Sequence, residues 1–86
     1  MKIYIYQRHQ LYTLDGIERH VSNEGRTPFV FTSKKRAEEF FMNSMKKDGI
    51  DTTEIKLFPY MHYKKKFNFD GTEMRDVVTL IEDETF

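Results

Sequence analysis

The sequence contains no cysteine, so disulfide staples and thiolate metal ligands are both closed to it and stability must come from packing alone. A reducing, cytoplasmic location fits that composition. Long apolar runs are missing too. No stretch of about 18 apolar residues exists that could span a bilayer as a helix. The opening Met1 to Tyr6 is short and alternating and has no small-residue cleavage site, so neither export nor a membrane role is expected. A charge excess of one sign is also lacking: 14 basic residues stand against 14 acidic ones. That balance argues against a uniformly basic nucleic-acid binder and against an all-acidic DNA mimic.

The charges are nevertheless segregated along the chain. Residues 1 to 66 hold thirteen Lys and Arg against eight Asp and Glu, net +5, whereas residues 67 to 86 hold only Arg75 against six acids, net −5. Whether this dipole survives in space depends on the fold, because an acidic C-terminal strand beside a basic one would neutralise it.

At 86 residues, one domain is the ceiling. Aromatic residues make up 15% of the chain, enough to build a core from Phe and Tyr while leaving several rings partly exposed, which favours binding. Lys2 to Arg8 alternates with the period of a strand. Leu11 to Leu14 and Ile17 to Val21 flank Asp15-Gly16, and Phe67 to Phe69 leads into Asp70-Gly71; both dipeptides suit the positive φ values of a tight hairpin turn. Ser22 to Thr27 reads as a loop.

Phe29 to Phe31 reads as a short strand, and Thr32 or Ser33 can cap a helix. Ala37, Phe40, Phe41, Ser44 and Met45 then form one apolar or small stripe, and Gly49 can end the helix. Glu54 to Tyr63 reads as a long strand at an edge or with a bend, since Pro59 lacks a ladder donor. Val77 to Ile81 looks buried on both faces, and Glu82 to Phe86 reads as a short acidic tail. The expected fold is therefore α+β: an antiparallel sheet of four to five strands with one amphipathic helix, about residues 33–48, packed on one face.

No catalytic motif is visible. His9, His20 and His62 lack metal-ligand spacing, and no cofactor is expected. Ser22, Ser33 and Ser44 fall in a loop, a cap and a helix face, and Asp15 with Glu18 or Glu38 with Glu39 are ordinary turn and helix residues.

Two clusters stand out. Lys34, Lys35 and Arg36 occupy the first helical turn, where cations are disfavoured by the helix dipole. They could form an anion pocket, or Lys34 with Glu38 and Lys35 with Glu39 could form i,i+4 pairs that offset the cost. The second cluster, Tyr60 to Phe69, encloses Lys64, Lys65 and Lys66 between Tyr60, His62, Tyr63, Phe67 and Phe69. Such interleaving suits stacked bases and neutralised phosphates, a protein interface, or an amphipathic strand whose lysines protect an edge.

Met1-Lys2-Ile3-Tyr4-Ile5, with Val30-Phe31-Thr32-Ser33 running into Lys34-Lys35-Arg36-Ala37-Glu38-Glu39-Phe40, resembles small phage- and mobile-element-encoded proteins in which a strand leads through a capped turn into an "AEEF" helix. Most of those proteins have no assigned activity; some of this size inhibit host defence, anti-CRISPR proteins among them. The resemblance implies an accessory protein that blocks or modulates a larger host protein.

The expectation is a non-enzymatic protein-binding module contacting a larger protein through Tyr60, Tyr63, Lys64, Lys65 and Lys66, with Lys34, Lys35 and Arg36 as a second cluster. The alternative is a small nucleic-acid-binding module using the same residues, whose affinity would fall steeply with salt. A small enzyme or metal protein is the third class. Self-association through the Pro59 edge strand is compatible with each.

Overall fold

The computed structural model of the chain describes residues 1–21 and 28–84. The expected loop at Ser22 to Thr27 and the last two residues of the expected tail lie outside them. Five antiparallel strands and one helix make an α+β fold, as the patterning requires.

Strand β1 runs from Lys2 to Leu14 and turns at Asp15-Gly16 into β2, Ile17–His20. Both turn residues have positive φ, 53° and 74°, the geometry that matches the twist of a two-residue hairpin. Strand β3, Phe29–Phe31, returns to the same edge of β1 at Tyr4 to Tyr6, while β2 holds that edge at Leu11 to Leu14. Helix α1, Lys34–Lys47, follows. Ser33 is its cap, the hydroxyl accepting from the Arg36 N–H at 3.3 Å, and Gly49 at φ 73° ends it.

Strand β4, Met61–Phe69, and β5, Thr72–Glu84, form the second hairpin through Asp70-Gly71, again with two positive φ values. The sheet order is β2-β1-β5-β4, with β3 beside β1. The long central pair β1 and β5 runs in register from Lys2 opposite Glu84 to Tyr12 opposite Met74.

Strand alternation sorts the sheet into two faces. Tyr6, Tyr63, Val78 and Leu80 share the face that receives Ala37, Phe41 and Met45 from α1, and Ile55 closes the cluster. Phe40 extends it outward: its ring lies 5.0 Å from Tyr6 at 87°, 5.0 Å from Phe29 and 5.2 Å from Phe31. Burying a large apolar side chain completely is worth about 1.5–3 kcal/mol over leaving it exposed, so this cluster is the chief stabilising element.

Three expectations are corrected. Glu54 to Tyr63 is not one strand. The Asp51 carboxylate accepts from the Thr53 N–H at 2.9 Å and starts a 3₁₀ turn, Thr52–Glu54; only Lys56 then bridges His62, with a turn through the cis Phe58-Pro59 bond between them. Pro59 thus sits in a turn, where its missing N–H costs nothing, and β4 beyond it is an edge of the sheet. Val77 to Ile81 is not covered on both faces: Val78 and Leu80 meet the helix, but Ile81 is 39% exposed on the side that carries no helix. Glu82 to Glu84 is not a tail but the end of β5, paired with Lys2 to Tyr4.

The position of β5 between β1 and β4 offsets the charge segregation of the sequence locally. β5 brings its acids between two more basic strands, giving Lys2–Glu82 at 3.6 Å, Arg8–Asp76 at 2.7 Å and Lys66–Glu73 at 3.8 Å, while Arg75 reaches Glu18 at 2.5 Å. Arg8 carries the deepest of these. Its Nε donates to Asp76 Oδ1 at 3.2 Å and its Nη2 to Oδ2 at 2.7 Å, while Nη1 pairs with Asp48 at the end of α1, so one guanidinium ties helix to sheet. The Asp76 hydrogen bonds raise the Arg8 pKa above its ordinary value despite burial, which opposes them.

Candidate partner-binding site

The turn after α1 makes the site. Ile55 is buried at its start, and Met61 and Tyr63 rejoin the sheet at its end. Two backbone hydrogen bonds, Lys56 N–H to His62 O at 2.8 Å and His62 N–H to Lys56 O at 2.9 Å, clamp its base. The residues between are too few to reach back to the core, so Leu57, Phe58 and Tyr60 stand out, 58%, 86% and 38% exposed. His62 Nδ1–H donates to the Tyr60 carbonyl at 2.7 Å, and the two rings lie 5.1 Å apart, holding the outgoing arm of the turn.

A groove of about 410 Å³ opens between this turn and the first two turns of α1. Its apolar surface comes from Tyr4, Met61 and Leu80 of the sheet and from Leu57 to Tyr60. Lys34 and Glu38 line it from the helix and Glu82 from β5. The Tyr4 hydroxyl donates to Glu82 Oε1 at 3.3 Å, which orients that carboxylate.

The two clusters read from the sequence fare differently. Lys34 and Tyr60 come together on the groove. Lys35 and Arg36 are exposed on the first turn of α1 but do not line it. Neither Lys34–Glu38 nor Lys35–Glu39 closes as an ion pair among the described residues, and no acid lies in that first turn to offset the dipole. Tyr63, expected at the binding surface, is 2% exposed and belongs to the core, because it faces α1 across from Val78. The lysine triplet is divided by the same alternation: Lys65 shares the face of Tyr63, while Lys64 and Lys66 point to the other side, and Lys66 is paired with Glu73.

Leu57, Phe58, Glu38 and Glu82 line the groove although the sequence marks none of them as a site residue. Reading Pro59 as a turn rather than a flaw in a strand would have freed Leu57 and Phe58 from the core, and Glu38 lies one helical turn after Lys34. Burial pushes the Tyr63 phenol above its ordinary pKa, with the Glu54 and Asp76 carboxylates adding to the rise. Folding therefore favours the neutral phenol. That contribution is complete below the unfolded pKa of about 10 and is lost as pH climbs through the folded value. Urea unfolding at pH 8 and pH 11 should show a larger alkaline loss for the native chain than for Tyr63→Phe; equal losses would contradict it.

Among the described residues no three His, Cys, Asp or Glu side chains group as a metal site, and no helix is long and apolar enough to cross a membrane. No family model, curated protein or solved structure matches the chain.

Proposed function

We propose that this chain is a non-enzymatic binding module that docks on a larger protein through the Leu57 to Tyr60 turn and the groove beside it. The observation that carries the reading is Phe58, a ring 86% exposed on a turn whose base is clamped by hydrogen bonds, next to a concave apolar surface. Leaving a large ring in water forgoes burial energy, and rings on rigid supports are what protein interfaces use as anchors at little entropic cost. The resemblance to phage and mobile-element accessory proteins makes a host protein, such as a defence nuclease complex, the partner class, and the cytoplasm the compartment.

Tagged native chain and the Leu57→Ser, Phe58→Ser double variant are to be compared by capture from host-cell lysate with nuclease. Both substitutions are at exposed positions, so stability should change by no more than about 0.5 kcal/mol each. The expected result is a protein held by the native chain after nuclease and lost with the variant. Equal retention would place the interface elsewhere. Loss of everything on nuclease treatment would replace this reading with nucleic-acid binding through Lys64, Lys65 and the first turn of α1.

A further inference from the structure

The groove carries two carboxylates: Glu38, with no ion-pair partner among the described residues, and Glu82, held only by the Tyr4 hydroxyl and a solvent-exposed pair with Lys2. Glu38 lines it from α1 and Glu82 from β5, and Phe58 and Tyr60 line it from the turn. An apolar occupant would desolvate the Glu38 carboxylate without pairing it. An anion would meet both carboxylates, with the ammonium of Lys34 beside them and that of Lys2 already committed to Glu82 at 3.6 Å. Rings and carboxylates around one concavity suit a planar cation, which stacks on aromatic faces while its N–H groups pair two at a time with carboxylate oxygens. Guanidinium fits this better than ammonium, which is a strongly hydrated point charge with no planar face.

We propose that the groove receives an arginine side chain from a basic segment of the protein partner. Its aliphatic stem lies along Leu57 and Met61, and its guanidinium sits between Tyr60 and the carboxylates of Glu38 and Glu82. Glu82 is already turned by the Tyr4 hydroxyl, and its pair with Lys2 joins side chains 64% and 50% exposed, so the incoming cation displaces little. Lys34 is exposed and, among the described residues, holds no acid within ion-pair distance, so its ammonium can swing outward.

This rests on the protein-binding reading and names the chemistry of its partner. The probe is a short peptide of alternating glycine and arginine, titrated into isotope-labelled protein at physiological salt, with citrulline and glutamate peptides as controls. The arginine peptide should give saturable amide shifts centred on Glu38, Tyr60, Met61 and Glu82. Replacing arginine by citrulline, or combining Glu38→Gln with Glu82→Gln, should weaken binding about tenfold or more. Glu38→Gln alone, at a helix surface, repeats the test should the double variant not fold.

Equal binding of the citrulline peptide, preference for the glutamate peptide, insensitivity to the glutamine variants, or no saturable shift would each overturn the proposal. A partner captured through Phe58 without any arginine response would overturn the arginine step and leave the protein-binding reading standing. Saturation by arginine with no Phe58-dependent capture would do the reverse.

Discussion

Phe41→Ala should destabilise the domain by about 3–5 kcal/mol, enough to leave a chain of this size mostly unfolded or barely folded at room temperature. Phe41 is fully buried, it faces Tyr6 with ring centroids 6.0 Å apart at 79°, and it sits between Ala37 and Met45 on the helix that covers the sheet. The cost has two parts: the transfer free energy of a lost ring, and the cavity left in a core too small to collapse around it. Urea unfolding followed by circular dichroism checks it. A loss below about 1 kcal/mol would mean that α1 does not pack through Phe41. Phe58 provides the contrast, since the same residue type at 86% exposure should be replaceable at almost no cost in stability.

The second large effect lies in the charges. Arg8→Met should cost about 2–4 kcal/mol, because Asp76, 8% exposed, would lose its bidentate partner and remain as an uncompensated buried carboxylate. The loss falls below that of a fully enclosed pair, since the Arg8 side chain is 33% exposed. One further outcome separates this account from simple loss of packing. Adding Asp76→Leu should restore most of the deficit, because replacing both partners by apolar groups removes the unpaired charge altogether. If the double variant were as unstable as Arg8→Met, the network would be acting through the Asp48 contact that ties α1 to β1.

The parts of this fold that are legible in the sequence are those whose cause is local. Asp15-Gly16 and Asp70-Gly71 readily take positive φ and stand between runs with strand alternation, so both hairpins follow from local sequence. Ser33, the Ala37 to Met45 stripe and Gly49 define the helix in the same way. What the sequence conceals is partnership across distance. Ile3, Ile5, Val77 and Ile81 are as apolar as a two-sided core strand demands, but one helix can cover only one face of a sheet, and alternation alone does not say which. Tyr63 and Tyr60 read alike in a ring-rich segment; one becomes core and the other surface because β4 begins only at Met61, and that boundary depends on a turn held by Lys56 and His62. Glu82 to Glu84 has the composition of a solvated tail, and only its pairing with Lys2 to Tyr4 makes it strand. The groove is illegible for the same reason: its walls are helix, turn and two strands, brought together by the tertiary fold.

The pairing of the first strand with the last also governs when the domain can form. β1 is synthesised before β2 and β3 and can associate with them as they emerge, but its longest partner and the helix's own bed, Val78 and Leu80, belong to β5, which follows all of them. Non-local pairing of that kind delays folding, because the loop-closure entropy is spent before the contacts that reward it exist. Throughout synthesis Tyr6, Phe41 and Met45 face a missing neighbour. Until β5 emerges those side chains lack their packing partners, and a chain cut before Thr72 should keep them exposed and prone to aggregate.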